Sequence, residues 1–550
     1  MWYFLLWLLA VPLTTSTPFT MNIKTLLLRS LPVAALFLMH GAQANNIQVA
    51  NTTLTGNTGT EVMVQFDISW ENSWRGGGVA NWDAAWVFVK YKLPGDGGFT
   101  HARLEATGHV APSGSLLDLG LLTPGTAYDA STNPALGVFI RRDADGTGTF
   151  NANGVQLRWN YGALAIAYTD ITEVQVYAIE MVYMNQGAFY LGSGGTETNA
   201  FRVNTPAAPY QVTSEAPIAI GNNPPGALWA DGEIQNGTLT AAYPKGFAAA
   251  YMMKYEMSQQ QYVDFLNSLT RVQQAARVET DLSVGVSAVN ERYVMNGLPT
   301  MGYRNGIRCD ATIDPNSSIT FYCDANGNDI GGEADDGQWV AANEMNLSDV
   351  AAFLDWSAIR FMTELEYEKA CRGPLPPLPN EFPWRTASIT SGPFTLDNAF
   401  TTSEGLATGY SSTVGNAMYG GATANAGSMR VGSFAANPAN TGRISAGAGY
   451  YGAMELAGNQ VELVISAGNS SGQAYNGSHG DGALTIAGGH DPATWPPLTD
   501  HDQMCFRGGG FTTTVATVGQ LQVSDRTLGA TANDAIRLRS VGGRGVRTAP

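Results

Sequence analysis

Four cysteines, Cys309, Cys323, Cys371 and Cys505, are the first candidates for chemistry. A thiolate is a nucleophile and a soft metal ligand, but no two of them share a CxxC spacing, so a zinc or redox motif is not indicated. Cys309 and Cys323 bracket the polar stretch CDATIDPNSSITFYC and form the expected disulfide of an oxidising compartment. Pairing of Cys371 with Cys505 stays open, because spacing alone does not set connectivity. His479, His490 and His501 lie in SHGDGALTIAGGHDPATWPPLTDHD with Asp481, Asp491, Asp500 and Asp502. Imidazoles and carboxylates bind metals, yet this spacing matches no ligand pattern, and a solvated polar loop is the plainer reading. Asp143 and Asp145 before Gly146 fail the EF-hand spacing and read as a hairpin turn. No GxSxG elbow stands out, and GSGGT (192–196) lacks the lysine of a phosphate loop.

Such residues must be held by something. At 550 residues the chain exceeds one ordinary core, and 44% hydrophobic residues argue for folded domains. The net charge of -17, with no Lys/Arg cluster, excludes a nucleic-acid binder and disfavours anionic membranes. Divalent cations and neutral ligands such as glycans suit it better. Lys24 and Arg29, the apolar run Ser30 to Met39 and the site Ala42-Gln43-Ala44 read as an export signal (1–44), with Met21 the expected true start. No later run reaches the roughly 18 apolar residues of a membrane-spanning helix. The expected location is secreted or at the cell surface.

From residue 45 to 173 the pattern is all-β. VMVQFDISW (62–70) and VQLRWNY (155–161) alternate, and AAWVFVKYKL (84–93) is strand-like, separated by Gly/Asn/Asp turns. A β-sandwich is expected here, with Trp70, Trp74, Trp82 and Trp86 packing its core more readily than stacking on a sugar. In residues 174–550 long Gly/Asn/Ser loops separate a few short helices. YEMSQQQYVDFLNSL (255–269) carries a capping box from Ser258 to Gln261, and NLSDVAAFLDW (346–356) is a second amphipathic helix. FMTELEYEKACRG (361–373) starts on a Thr363–Glu366 box and stops at Gly373-Pro374. The fold class is therefore α+β, with few helices and many loops.

Several segments, in order, resemble the formylglycine-generating-enzyme (sulfatase-modifying-factor) family, a variant of the C-type lectin fold. EMVYMNQGAFYLGS (180–193) resembles its MVYVPGGxFxMGS opening. YMMKYEMSQQQYVDFLN (251–267), FMTELEYEKACRG, FPW (382–384), YYGAMELAGNQVEL (450–463), FRGGGF (506–511) and GGRGVR (542–547) are similar to later motifs. The likeness covers some 370 residues and implies a C-type lectin-like domain after the sandwich. It also implies calcium, held by Glu455 and Glu462 with backbone carbonyls of Gly458 and Gln460, and a second site near Asn416 and Asn425. Hard Ca²⁺ takes six to eight oxygen ligands, so such a loop is chemically apt.

The family's oxidase chemistry needs two cysteines shortly after the RGG motif, where thiolates bind copper. Residues 511–539 contain none, and Cys505 precedes Arg507-Gly508-Gly509. The histidine-bearing helical domain of the related sulfoxide synthases is replaced by β sequence. The resemblance then implies a non-catalytic recognition or scaffold protein for a glycan or extracellular protein. Its binding face is expected in 512–540 with Arg507, Asp525, Arg526, Asn533 and Arg537, the stretch that varies in retroelement-diversified proteins of this fold. The alternatives are a metal-dependent oxidoreductase using the histidine loop, and a self-assembling subunit of a surface layer or filament.

Overall fold

Strand Val62–Gly76 alternates because one face is covered: Val62, Val64, Phe66, Ile68 and Trp70 are buried, and the residues between them are half-buried. It lies between the antiparallel strands Gln48–Thr55 and Gly146–Trp159. Strand Asn81–Lys92 loses the alternation, since Asp83 to Tyr91 are all buried. A strand covered on both faces reads as a continuous apolar run. Val87 and Val89 face a core shared with Val64, Phe66, Ile140 and Leu157. Trp86 and Phe88 face a second core with Trp356 and Phe265.

The computed structural model describes residues 46–76, 80–231, 236–420, 427–437, 440, 442–495, 497, 503–528 and 536–550. The leader with its cleavage site lies outside them, as do Asn425, Asp500, His501, Asp502 and Asn533. The molecule is mostly β with few helices, built on one large antiparallel sheet. Strand Glu173–Met184 pairs with Asn81–Lys92 over ten residues on one side and with Ala250–Met253 on the other. Gly545–Thr548 and then Arg360–Phe361 extend the sheet. The boundary expected at 173/174 thus falls at the start of a strand that runs within the sheet, which continues through it. The first strands belong to this same sheet, and their core holds Val64, Phe66, Val87 and Leu157.

A buried ion cluster seals that junction. Lys254 Nζ lies 3.2 Å from Asp83 and 3.0 Å from Glu180, all three excluded from solvent. Trp70 Nε1–H donates to Asp83 at 3.0 Å, and Trp82 stacks on Tyr183 at 4.1 Å. These tryptophans therefore pack, as expected.

Helix α1 (Gln259–Asn267), α2 (Arg271–Ala276), α3 (Leu347–Trp356) and α4 (Glu364–Arg372) each begin on a capping box. The boxes read at Ser258–Gln261 and Thr363–Glu366 are both present. Among the described residues, no helix is long and apolar enough to cross a membrane. The four cysteines are free and buried. Strands Ile307–Cys309 and Phe321–Cys323 pair with Cys309 opposite Phe321 and Cys323 opposite Ile307. The two thiols are diagonal rather than directly opposed, and the expected disulfide is not formed. Cys371 and Cys505 share an apolar cluster, also as free thiols.

Candidate functional site in the carboxylate loop and the closing segment

The loop from Glu455 to Glu462 passes through left-handed backbone at Glu455 (φ 53°), Gly458 (φ 79°) and Asn459 (φ 61°). Gly458 is required twice over, because a Cβ there would stand 2.5 Å from the Met418 carbonyl oxygen. The turn brings three carboxylates into one interior region. Glu256 accepts from Gln460 N–H at 2.8 Å and from Asn459 Nδ2–H. Glu455 accepts from Gly432 N–H at 2.8 Å through Oε1, and Glu462 accepts from Arg544 Nε–H at 2.8 Å through Oε1.

The other oxygens are left over. Glu455 Oε2, Glu462 Oε2 and Gln460 Oε1 are buried and have no hydrogen-bond partner. A buried unpaired carboxylate oxygen is costly, so it calls for a proton or a cation. Burial holds the Glu455 carboxyl up at about 7 against the opposing pull of Arg544. Burial, then the charges of Glu462 and Glu455, pushes Glu256 well above the usual range. Arg544 and Arg430 are the positive charges that oppose burial at Glu455. Asn416 does not join them: its Oδ1 accepts from Ser411 N–H at 2.8 Å, and its amide donates to the Ser411 and Ser445 carbonyls. Its side-chain oxygen and amide are thus both engaged in holding the 411–416 turn.

The arginines expected at a binding face are interior. Arg507 is 1% exposed and reaches Glu364 at 2.8 Å and Glu368 at 3.1 Å. Arg526, also fully buried, forks onto Glu364 at 2.6 Å and 3.0 Å. Burial pushes the Glu364 carboxyl up, but Arg526 and Arg507 together hold it down at about 2. Asp525 is buried and accepts from Thr527 N–H at 3.0 Å. Arg537 is half-buried, with Nε 2.7 Å from Asp349. Arg507 and Arg526 are therefore structural, because α4 buries Glu364, Glu366 and Glu368 and each buried charge needs a partner, whereas Arg537 pairs with Asp349 of α3 and with Glu279. The α4 charges look like a solvent face in sequence, and their burial was the signal missed.

What the closing segment does present is a shallow cavity of about 280 Å³. Thr512, Thr513, Thr517, Gln520 and Ser540 supply its polar lining, and Val461, Phe506, Leu528, Leu538 and Val541 its apolar floor. None of these ten residues is titratable or a cysteine. Hydroxyls over an apolar floor suit hydrogen bonding to a neutral ligand.

The histidine loop is anchored rather than open. His479 Nε2 accepts from Thr548 N–H at 3.0 Å, and its Nδ1 lies 3.3 Å from the Leu122 carbonyl, so both ring nitrogens are used. His490 stacks against Trp495. The carboxylates of Asp355, Asp481 and Asp491 converge within 4.8 Å. Asp355, however, accepts the backbone N–H of Asp481 and of Asp491 at 3.1 and 3.0 Å, which ties the loop to α3. His479 is thus not a metal ligand.

Comparison with protein-family models finds no match, and none of the curated proteins searched matches the chain.

Proposed function

We propose that this is a secreted, non-catalytic recognition or scaffold protein. Its C-terminal region is a C-type lectin-like domain of the formylglycine-generating-enzyme type that binds a glycan or an extracellular protein through the closing segment. The observation that carries the reading is the make-up of that segment. Its cavity offers hydroxyls and one amide on an apolar floor, while Cys371 and Cys505 are buried in an apolar core. Burial raises the Cys505 thiol well above its ordinary value, which opposes thiolate formation.

The family likeness is supported by where its motifs sit. The strands at 173–184, 250–253 and 545–548 are consecutive neighbours in one sheet. The strands at 462–465 and 504–507 pair directly, and Glu462 reaches Arg544. Val182, Met252, Met362, Leu456 and Val546, from five of the seven motifs, meet in one core.

In this reading calcium is held by Glu455 and Glu462, with Gly458 and Gln460 in the same turn. The ion supplies charge compensation for the loop that carries the cavity wall residue Val461. The protein's own residues do the rest: Arg544 orients Glu462, Gly432 N–H orients Glu455, and Glu256 fixes the turn through Asn459 and Gln460.

A peptide bearing a sulfatase-type cysteine, incubated with the mature protein, Cu(I) and oxygen, separates this reading from oxidase chemistry. The cysteine is expected to persist by mass spectrometry; conversion to the aldehyde would overturn the proposal.

A further inference from the structure

A second acidic loop lies on the other side of α1. The segment DANGNDIGGEADD (324–336) follows strand Phe321–Cys323 and turns back beneath the N-terminus of α1 through Gln260 N–H, which donates to the Gln338 carbonyl at 2.9 Å. Its carboxylates do two different jobs. Asp324 is committed to the fold: it pairs with Arg308 and accepts the backbone N–H of Gly327 at 2.8 Å and of Asp329 at 3.0 Å. Glu333, Asp335 and Asp336 instead bring carboxylate oxygens within 4.8 Å of one another, and their bonding partners among the described residues are amides and backbone N–H groups.

Three like charges this close repel, and the described structure answers with amides. Asn326 Nδ2–H donates to Asp335 at 3.0 Å and to Glu333 at 3.3 Å, and Asn328 Nδ2–H also donates to Glu333. Asp336, at 0% exposure, accepts one bond through Oδ2, from Glu333 N–H at 2.7 Å. Its Oδ1 is buried and has no partner. The carboxylate that carries this unmet acceptor is one of the three that converge.

We propose that this loop is a divalent-cation site, with the carboxylates of Glu333, Asp335 and Asp336 as its charged ligands and calcium as its ion. The Asn326 and Asn328 amide oxygens accept the backbone N–H of Asn328 at 3.1 Å and of Ile330 at 2.8 Å, so these side chains shape the loop while the carboxylates ligate. A flexible loop of mixed carboxylates and amides suits calcium better than the rigid octahedron magnesium demands. The site is independent of the Glu455–Glu462 reading, sharing no residue with it. Glu333 also lines a groove of about 690 Å³ between α1, α3 and strands Gln48–Thr55 and Glu173–Met184, which places the ion at the groove rim.

The test is calorimetric titration of CaCl₂ into the chelator-treated mature chain, with Glu333→Gln/Asp335→Asn and Glu455→Gln in parallel. Glu333 is half-buried and Asp335 exposed, so the double variant is expected to fold, as its thermal unfolding in chelator checks. The expected result is loss of one calcium equivalent in the double variant and survival of that equivalent in Glu455→Gln. Uptake by the double variant at the wild-type stoichiometry, with affinity within threefold, would overturn the site. So would absence of any uptake by both wild type and Glu455→Gln.

Discussion

Arg544 Nε–H donates to Glu462 Oε1 at 2.8 Å, while Oε2 of the same carboxylate stays buried without a partner. Two buried guanidiniums, Arg544 and Arg430, thus act on three interior glutamates, since Glu256 and Glu455 are also buried. The unmet oxygens of Glu455 and Glu462 are what motivates the proposed cation in the loop.

Calcium is therefore expected to raise the melting temperature of the mature protein, and chelator to lower it. An ion present at one hundred times its dissociation constant adds about 2.7 kcal/mol to stability. Glu455→Gln keeps the bond from Gly432 N–H but removes the charge, so the Glu455-dependent part of the calcium increment should vanish. Differential scanning calorimetry with and without calcium checks this.

Arg526→Ala should destabilise by up to about 3–5 kcal/mol, the cost of breaking its buried pair with Glu364, which keeps Arg507 as its remaining cation. Arg507→Ala should do the same, through Glu364 and Glu368. Denaturant unfolding measures both. Ligand binding of the folded fraction should be unchanged, because neither side chain reaches the surface.

Stability should also depend on Lys90. Burial lowers this amine to about 7, despite the opposing charges of Asp355 and Asp481. Its Nζ donates to the Gly482 carbonyl at 2.8 Å, lies 3.3 Å from His101 Nδ1 and sits over the Trp356 ring. Between pH 7 and about 10.5 the unfolded chain holds this proton and the native chain does not, so native stability rises with pH across that window. The full change is on the order of 5 kcal/mol, at about 1.4 kcal/mol for each pH unit. Lys90→Met should flatten the wild-type slope in this window; parallel curves for the two proteins would contradict the assignment.

Gly482→Ala tests how the loop at 479–491 is seated. Gly482 has φ 87°, and a Cβ there would overlap the His101 ring. Loosening of the loop is expected, seen as faster hydrogen exchange at Asp481 and Asp491 with the rest of the sheet protected.

Much of the fold was legible from residue pattern. The alternation of Val62 to Trp70 marked a half-covered strand, and Ser258–Gln261 and Thr363–Glu366 marked two helix starts, because local hydrogen bonding decides both. The extent of the sheet was not legible. The continuous run from Ala84 to Tyr91 is shared by strands covered on both sides, but nothing local shows that its second cover is α3 and the C-terminal core. The site was legible in part. Glu455 and Glu462 flank a turn that Gly458 makes possible, and each keeps one buried oxygen without a partner. Arg507, Asp525, Arg526 and Arg537 misled, since a charge in a polar segment looks exposed until its interior partner is known. The 324–336 loop carries Asp and Asn at alternate positions, a spacing that could have drawn attention to it.

The most direct measurement is binding of the calcium-loaded mature protein to a panel of glycans and extracellular proteins, comparing wild type with Thr517→Arg/Gln520→Arg. Thr517 is exposed and Gln520 half-buried at the cavity, so the added guanidiniums fill it without entering the core. The account predicts a saturable ligand for wild type and at least tenfold weaker binding for the double variant, with Ile486→Arg, on an exposed loop away from the cavity, binding as wild type does. A ligand held equally by all three proteins, or no ligand on the panel for wild type, would contradict it.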